Sequence, residues 1–301
     1  MIRKFLEIII ITLFLVCISA YAAWPASEKS IVVIVPSYNN AKYCEGNLDS
    51  ILNQKYKNYR VIYIDDRSSD GMSEMLDEYL QKKGIDFTTT HFAENPGSDI
   101  ADATLQFERE AKRENRFFTL IHNVNRVGAL ANIYRAITST DDSDIIVLVD
   151  GDDKLHDINV LKRVNKSYSS KKEIWLTHGN LIEYPTGECK WCKPVPADIV
   201  KRNAFREFRC PSHLRTFYAW LFKKIDINDL LYQGNFFSMA WDMAIMYPMI
   251  EMSGDKHAFL SRVNYIYNIE NNISDNKVNA NLQNELDRVI RNMPPYKPLN
   301  Q

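Results

Sequence analysis

The sequence has no internal repeat, no low-complexity tract and almost no net charge. Its 37 Lys and Arg residues and 38 Asp and Glu residues leave a net charge of −1 over 301 residues, with a pI near 6.6. This balance argues against non-specific nucleic-acid binding, which requires an excess of positive charge. The chain also lacks the glycine-rich, lysine-bearing loop with which P-loop enzymes bind phosphate. With 46% apolar residues, it is long enough for one large globular domain or two small ones.

Cysteine is scarce, and the spacing of the five cysteines argues against a structural zinc site. Cys189 and Cys192 have the CxxC spacing, but no second CxxC or CxxH is present to complete four ligands. A disulfide within a hairpin and a pair of reduced thiols are both better interpretations than a redox motif. The cysteines do not decide the cellular compartment.

The one long apolar run lies at the N-terminus, at Ile8–Ile18. Arg3 and Lys4 precede the run, and the small residues of Ala20–Ala22 follow it. This order is typical of a secretory signal, although a somewhat longer apolar segment would also serve as an uncleaved anchor. We expect residues 1–23 to be a signal peptide or signal anchor that leads to the secretory route or to a membrane. The side of the membrane stays open, and a buried first helix is the alternative.

Apolar strands alternate with amphipathic helices through the first half of the chain, which predicts a parallel α/β sheet. The predicted strands are Ser30–Pro36, Tyr59–Ile64, Phe117–His122 and Ile145–Val149. The predicted helices between them are Tyr43–Asn53, Glu74–Lys83 with Ser73 as its cap, and Ala129–Ile137. The segment from Ile85 to Arg116 is weakly patterned. We interpret it as a connecting excursion with a charged helix at Ala101–Asn115.

The second half has a different pattern, with shorter strands and many aromatic residues. Val160–Ser170 is predicted to be a basic amphipathic helix. Trp175–Ile182 and Cys189–Val195 are predicted to pair as a hairpin, and Arg262–Asn268 to be a late strand. Further helices are predicted at Leu214–Phe222, Trp241–Met252 and Gln283–Arg291.

Three carboxylates follow the strand at Ile145–Val149, in the order Asp150, Gly151, Asp152, Asp153. Carboxylates this close repel one another, and a hard divalent cation such as Mg²⁺ or Mn²⁺ is the natural partner for them. A solvated acidic turn is the alternative. Ligands of parallel sheets bind at the carboxyl ends of the strands, so the loops at 37–40, 65–70, 123–128 and 150–153 are expected to line one crevice.

Five segments occur in an order and spacing that resembles family 2 of the nucleotide-sugar glycosyltransferases, which have the GT-A fold. They are Val35–Asn39, Gln54–Tyr59, Ile64–Gly71, Asn125–Ala129 and Val149–Asp153. The resemblance covers residues 30 to about 160. His213–Phe217 is similar to a His-x-Arg-x-Phe signature of the superfamily, and Ala240–Asp242 followed by Glu251 resembles its acceptor-side acidic motif.

The resemblance implies a GT-A fold, in which a mixed, mainly parallel sheet is flanked by helices. Residues 30–160 would form the nucleotide-sugar-binding half, and residues 161–301 an acceptor-binding α+β half with C-terminal helices. Pro36, Ser37 and Tyr38 would then shape the nucleotide pocket, with Tyr38 near the base.

Three further residues are implied in donor binding. Either Asp65 or Asp66 would accept a hydrogen bond from a uracil N–H, for which a carboxylate is suited. The alternative for this pair is helix capping and turn chemistry. Arg126, which belongs to the fourth segment, is a further donor-binding candidate.

For the metal, the resemblance implies Mn²⁺ or Mg²⁺ bridging the donor diphosphate. Asp152 is the favoured ligand, and Asp150 would contact the metal or the ribose. Asp153 would support the loop or a metal-bound water. His213 either completes the metal coordination, which Mn²⁺ permits, or is a core or acceptor-site histidine.

On the acceptor side, Asp242 is the expected general base, with N-capping of a helix as its alternative. Trp241 would form a sugar platform, and Arg215 would either neutralise a phosphate or pair with an acid such as Asp242. The expected reaction is an inverting, metal-dependent transfer from a UDP-sugar to a hydroxyl of a glycan, lipid or protein. Alternatives are a nucleotidyltransferase, a sugar-nucleotide hydrolase, or an inactive carbohydrate-binding relative.

Overall fold

The computed structural model describes residues 28–93, 99–112, 117–189, 191–209, 211–273 and 275–299. The expected N-terminal signal at residues 1–23 lies outside these ranges. No helix in the described ranges is both long enough and apolar enough to cross a membrane.

Within the described residues, nine strands form one mixed sheet in the order β3-β4-β2-β1-β5-β8-β7-β11-β6. They are β1 (Ile31–Ser37), β2 (Tyr59–Asp65), β3 (Phe87–Phe92), β4 (Phe118–Asn123), β5 (Ile145–Leu148), β6 (Lys154–Leu155), β7 (Leu176–Tyr184), β8 (Arg215–Tyr218) and β11 (His257–Asn268). Strands β1 to β5 are mutually parallel. Strand β8 runs antiparallel to both β5 and β7, and β11 is parallel to β7. A separate two-stranded hairpin joins β9 (Leu231–Tyr232) to β10 (Asn235–Phe236).

Helices cover both faces of the sheet. They are α1 (Ala41–Leu52), α2 (Met72–Lys82), α3 (Ile100–Lys112), α4 (Ala129–Thr138), α5 (Val160–Tyr168), α6 (Ala197–Arg202), α7 (Ala219–Phe222), α8 (Trp241–Ser253), α9 (Asp275–Val278) and α10 (Ala280–Asn292). Short 3-10 turns lie at Phe205–Glu207 and Ile227–Leu230.

Strand β1 shows how the core is divided, because its successive side chains point to opposite faces of the sheet. Val32 and Ile34 belong to a cluster that includes α4, α8 and α10. Ile31, Val33 and Val35 belong to a second cluster with α1, α2 and α5. All five side chains are fully buried, as the continuous apolar sequence of this strand predicts.

Two expectations for the first half are corrected. The segment from Ile85 to Arg116 is more than an excursion, because it contributes the edge strand β3, which pairs with β4. Its sequence Phe-Thr-Thr-Thr-His-Phe has little apolar signal, since an edge strand is only partly buried. Ser73 does not cap α2, whose N-cap is Gly71 at φ 84 with no side-chain cap. The Ser73 hydroxyl instead donates to Asp65.

Two expectations for the second half are also wrong. The described residues of Cys189–Val195 form no strand, and β7 pairs with β8 and β11 instead. Leu214–Phe222 is not one helix, because Arg215–Tyr218 forms β8 before the short helix α7. Two strands flank β8, and this tertiary pairing overrides local helix preference. Cys189 and Cys192 are free thiols.

The buried histidine on β7 predicts a loss of stability in acid. His178 is 1% exposed and packs against Phe259 and His257, with ring centroids 5.4 and 5.9 Å away. Burial, and then the charge of His257, lower the pKa of His178 from 6.5 to about 3. The folded state therefore binds this proton more weakly than the unfolded chain does. Its contribution to stability is complete above pH 6.5 and is lost as the pH falls toward 3.

We expect protonation of His178 to lower the free energy of unfolding by about 2 kcal/mol between pH 7 and pH 5. Urea titrations of the wild-type protein and of His178→Asn across this range measure the effect, because the variant should show a shallower dependence on pH. His91→Asn, at an exposed position on β3, is the control. Equal pH slopes for the wild type and His178→Asn would contradict the assignment.

Candidate functional site

A cavity of about 1070 Å³ opens at the carboxyl ends of the parallel strands. Ser37 is the last residue of β1, and Asp66 directly follows β2. Arg126 lies in the loop after β4, and Asp150 in the turn after β5. The four loops therefore meet in one crevice, as expected. The opposite wall comes from the second half of the chain, including His213, Arg215, Trp241 and Asp242.

The nucleotide-side candidates form one wall of this cavity. Pro36, Ser37 and Tyr38 all line it, at the end of β1. The guanidinium of Arg126 lies 3.8 Å from the centre of the Tyr38 ring. A cation at this distance over an aromatic face is attracted by the ring quadrupole, so the two side chains support each other as a flat platform.

Asp66 faces the cavity, and backbone amides hold its carboxylate in place. Its Oδ1 accepts from Asn123 Nδ2 at 2.8 Å and from the Val127 N–H at 3.0 Å. Its Oδ2 accepts from the Gly128 N–H at 2.9 Å. These bonds tie the end of β2 to the loop before α4 and fix the direction in which the carboxylate is presented.

Asp65 does not line the cavity and has a structural environment instead. It is 1% exposed and accepts from the Ser68 N–H at 3.1 Å and from the Ser73 hydroxyl. The ring of His122 lies 3.3 Å from the same carboxylate. Burial opposes ionisation, but the hydrogen bonds from His122, Ser68 and Ser73 outweigh it and hold the pKa of Asp65 below its usual value. The structure thus distinguishes the two aspartates that the sequence left equivalent.

Gly151 allows the acidic turn to pack against the end of β1. A Cβ atom at this position would lie 2.0 Å from Ser37 Oγ and 2.5 Å from Ser37 Cβ. The buried side chain of Asn47 also fixes the turn. Its Nδ2 donates to the carbonyls of Asp150 at 3.0 Å and Asp153 at 2.8 Å. The position of the carboxylates is therefore set by backbone contacts.

The carboxylates of the turn occupy different environments. Asp153 is 1% exposed; its Oδ1 accepts from the Asn268 N–H at 2.7 Å, while its buried Oδ2 has no hydrogen-bond partner. Burial, followed by the charges of Asp152 and Asp150, raises the pKa of Asp153 well above its usual value. Burial also raises the pKa of Asp152, whose Oδ2 accepts from Asn271 Nδ2 at 2.7 Å. A cation would relieve this crowding of negative charge.

His213 lies beside the turn, and its ring is stacked in parallel on Tyr265 at 4.4 Å between centroids. Its Nε2 is 3.8 Å from Asp150 Oδ2, and its Nδ1 is buried without a partner. Burial, and then the charge of Arg215, lower the pKa of His213 well below its usual value. The imidazole is therefore neutral near pH 7, which is the state that binds metals.

Among the described residues, one group has donor atoms close enough to share a metal ion. It consists of Asp150, Asp153 and His213, whose ligand atoms all lie within 4.8 Å of one another. Carboxylate oxygens fit a divalent cation, as does an imidazole nitrogen such as the His213 Nε2 that lies 3.8 Å from Asp150 Oδ2. Asp152, the ligand favoured from the sequence, is not in this group and remains a prediction. The geometry indicates Asp153 as a candidate metal ligand in place of Asp152.

On the acceptor side, Arg215 pairs with Asp242. Arg215 Nη2 donates to Asp242 Oδ2 at 2.6 Å, and the guanidinium lies 5.6 Å from the centre of the Trp241 ring. Of the two roles considered for Arg215, pairing with Asp242 is the one observed. The N-cap of α8 is Ala240 at φ 52, so Asp242 lies inside the first turn and is not the capping residue.

Glu251, expected to belong to the acceptor motif, is part of the core. It is fully buried and forms an ion pair with Arg206 at 2.6 Å. It also accepts from the Tyr296 N–H at 2.9 Å. These contacts join α8 to the C-terminal segment and leave Glu251 no place in the cavity wall.

Asn271 is a site residue that the sequence analysis missed. Its Nδ2 donates both to Asp152 Oδ2 and to Asn40 Oδ1, at 2.7 and 3.1 Å. It follows the end of β11 and closes the acidic turn against the loop after β1. The only signal in the sequence was a polar segment after a late strand, which does not identify a partner more than a hundred positions away.

Comparison with known proteins agrees with this geometry. Residues 32–101 match the family model described as Glycosyl transferase family 2. Over these residues the chain is similar to family 2 glycosyltransferases. The resemblance found in the sequence and the assignment as a transferase are therefore confirmed.

Two bacterial glycosyltransferases illustrate the similarity in sequence. Glycosyltransferase GlyG of Streptococcus pneumoniae serotype 4 is 24% identical over 249 residues, which cover 76% of this chain and 80% of GlyG. The putative teichuronic acid biosynthesis glycosyltransferase TuaG of Bacillus subtilis is 34% identical over 71 residues, or 24% of this chain and 28% of TuaG.

Solved structures confirm the GT-A fold. A fragment of TarS from S. aureus, solved with UDP, superposes with a TM-score of 0.53 at 15% identity. The match covers 80% of this chain and 60% of the fragment. Mannosyl-3-phosphoglycerate synthase from Rubrobacter xylanophilus gives a TM-score of 0.50 at 13% identity, over 87% of this chain and 73% of the synthase. The division of this glycosyltransferase at residue 160 stays a prediction.

The close approach of Gly151 to Ser37 predicts that Gly151→Ala destabilises the domain. Relief of an overlap this close requires the turn to shift, at a cost of about 1–3 kcal/mol. Urea unfolding of the variant measures the loss. Gly46→Ala is the matched control, because its Cβ would meet only the flexible end of Lys154, at 2.7 Å.

Since alanine is favoured over glycine inside a helix by about 0.5–1 kcal/mol, Gly46→Ala is expected to be neutral or stabilising. Equal stability of the two alanine variants would show that the turn adapts without strain.

Proposed function

We propose that this glycosyltransferase moves a sugar from a UDP-sugar to an acceptor hydroxyl, with inversion and with the help of a divalent cation. The observation that carries the proposal is the content of one cavity. Its lining includes Tyr38 and Asp66 on the nucleotide side and the carboxylate of Asp242 opposite. It also includes Asp150 and His213, two members of the group that could share a metal ion.

Asp66 is the residue that we assign to the base of the nucleotide. A carboxylate oxygen is a hydrogen-bond acceptor, which suits it to the N–H of uracil. The Tyr38–Arg126 pair offers a flat surface next to it, on which a base can stack. The TarS fragment contains UDP, and the same nucleotide suits the accepting group at Asp66. Asp65, turned into the core, supports this wall without contacting the donor.

The cation is assigned to Asp150, Asp153 and His213. Mn²⁺ accepts imidazole together with carboxylates, whereas Mg²⁺ prefers oxygen ligands, so this donor set favours Mn²⁺. When bound, the cation supplies Lewis-acid stabilisation of the negative charge on the leaving diphosphate. Asp152 is kept by Asn271 at the edge of the same cavity and is the further ligand candidate.

Asp242 is assigned as the general base. An inverting transfer needs a group on the side of the sugar opposite to the leaving diphosphate, and that group takes the proton of the attacking hydroxyl. Arg215 holds the carboxylate of Asp242 in one orientation through the 2.6 Å bond and also lies near the Trp241 ring. Trp241 is thus placed to support an acceptor next to the base. The acceptor is a glycan, a lipid or a protein.

Replacement of the proposed base tests the mechanism. We expect Asp242→Asn to lower the transfer rate by a factor of about 10²–10⁴, because the amide cannot accept the proton. Binding of UDP with Mn²⁺, measured by isothermal titration, should be unchanged. Asp198→Asn is the control, since the Asp198 side chain is 71% exposed and lies on α6, outside the cavity lining. Unchanged turnover in Asp242→Asn would overturn the assignment of the base.

The metal assignment is tested by binding rather than by turnover. We expect His213→Ala to weaken Mn²⁺-dependent binding of UDP about tenfold or more, because the cluster loses its neutral nitrogen ligand. Titrations with and without Mn²⁺ separate this loss from a general loss of nucleotide binding. His156→Ala, at a partly exposed position next to α5, is the control. If His213→Ala binds UDP and Mn²⁺ as the wild type does, His213 is a core residue and not a metal ligand.

The same titration compares the two candidate aspartates. Because Asp153 and not Asp152 shares the cluster, we expect Asp153→Asn to reduce the Mn²⁺ dependence of UDP binding more than Asp152→Asn. Melting curves without metal check that each variant is folded. A larger effect in Asp152→Asn would restore the ligand favoured from the sequence.

A further inference from the structure

A group of exposed lysines lies at the edge of the sheet opposite to the crevice. We call this surface the lysine face. It includes the loop before β2, the outer side of α5 and the segment that follows α5. Its members are Lys55, Lys57, Lys162, Lys166, Lys171 and Lys172, all of them exposed.

Hydrogen bonds show that the parts of the lysine face adjoin one another. The Lys55 N–H donates to the Ile158 carbonyl at 2.7 Å, which joins the loop before β2 to the start of α5. The Tyr56 hydroxyl donates to the Lys29 carbonyl at 2.6 Å, and the Lys29 N–H donates to Asn165 Oδ1 at 3.1 Å. The loop, the entry to β1 and α5 therefore form one continuous surface.

The charge of this surface is not neutralised by the acids near it. Asp157 is engaged by Arg163 at 2.9 Å, and Glu173 by Lys256 at 2.6 Å. In the part of the chain that the structure describes, none of the six lysines takes part in an ion pair. Glu28 lies at the border of the face, next to the loop. The exposed acids Asp141 and Asp142 precede β5 at the same end of the sheet, and Asp142 is engaged by Lys223 at 2.9 Å. The face is positive although the whole chain carries a net charge of −1.

An exposed apolar side chain lies within the same face. Ile158 is 41% exposed, next to Lys55. Exposed lysines around an apolar side chain suit the interface of a bilayer that contains anionic lipids. There the lysines meet the headgroups, and the apolar group enters the boundary with the acyl chains.

The N-terminal part of the chain reaches the folded domain at the same face. The carbonyl of Glu28 accepts from Asn58 Nδ2 at 2.8 Å, so residue 28 lies beside the loop that carries Lys55 and Lys57. The 27 residues before it include the apolar run Ile8–Ile18. An apolar segment in the sequence and a basic surface beside residue 28 favour the same partner.

We propose that the lysine face rests on a bilayer containing anionic lipids. The crevice lies at the other end of the strands. Strand β1 has 7 residues and is therefore about 23 Å long, so the crevice opens away from the bilayer at roughly that height. In this orientation the acceptor hydroxyl reaches the site from the side of the solvent, on a molecule that is free or that projects well beyond the headgroups.

Vesicle binding by the full chain tests the proposal. Vesicles of phosphatidylcholine alone and vesicles that also contain phosphatidylglycerol are sedimented with the protein. We expect stronger binding to the anionic vesicles and loss of this difference at high salt. A variant with Lys55, Lys57, Lys162 and Lys166 all changed to Gln should bind anionic vesicles more weakly, by about fivefold for each lysine removed. Its binding to neutral vesicles should not change.

A charge-matched variant provides the control. Lys42, Lys193, Lys201 and Lys297 are exposed positions outside the lysine face, and their joint change to Gln removes the same charge. The proposal is overturned if this control loses as much binding as the test variant, or if the test variant keeps wild-type affinity for anionic vesicles. A test variant that loses binding only to a short fluorescent RNA, and not to vesicles, would also overturn it. Circular dichroism and binding of UDP with Mn²⁺ verify that each variant is folded.

Discussion

The mutual repulsion of three carboxylates at the end of β5 is the constraint on which the rest of the site depends. Asp150, Asp152 and Asp153 stay close together because contacts to the backbone of the turn fix its position. Asn47 binds two carbonyls of the turn, and Gly151 presses the turn against Ser37. These contacts stabilise the backbone of the turn but do not neutralise its carboxylates, whose negative charge a bound cation would balance. Burial, followed by the charges of Asp152 and Asp150, therefore raises the pKa of Asp153.

The second half of the chain completes the site by adding strands to the same sheet. Strand β8 lies next to β5 and carries Arg215, with His213 just before it. The end of β11 then brings Asn268 and Asn271 to the acidic turn. His213 supplies a neutral nitrogen, Arg215 a positive charge, and Asn268 and Asn271 amide donors. One wall of the crevice is thus built from loops after parallel strands, and the other from strands that run beside them.

The parallel half of the sheet and its crevice could be predicted because their signals are local. The continuous apolar run of β1 identifies a strand buried on both faces, and the acids after β2 and β5 mark strand ends on one edge. Strands β3 and β8 could not be predicted in the same way. Their sequences are only partly apolar, and their pairing depends on neighbours that are distant in the chain. The same limit applies to the choice between Asp65 and Asp66, which only the surrounding hydrogen bonds reveal.

The antiparallel pairing of β8 has a consequence for how substrates enter and leave. Residues Ile145–Leu148 of β5 are aligned with Arg215–Tyr218, and Thr216 and Phe217 also pair with β7. A hinge between the donor side and the acceptor side would have to break this ladder in the middle of the core. The two walls of the crevice are therefore joined through one continuous sheet. Movements that widen the crevice would then be local to its mouth, such as release of the Asn271 contact that joins the last strand to the acidic turn.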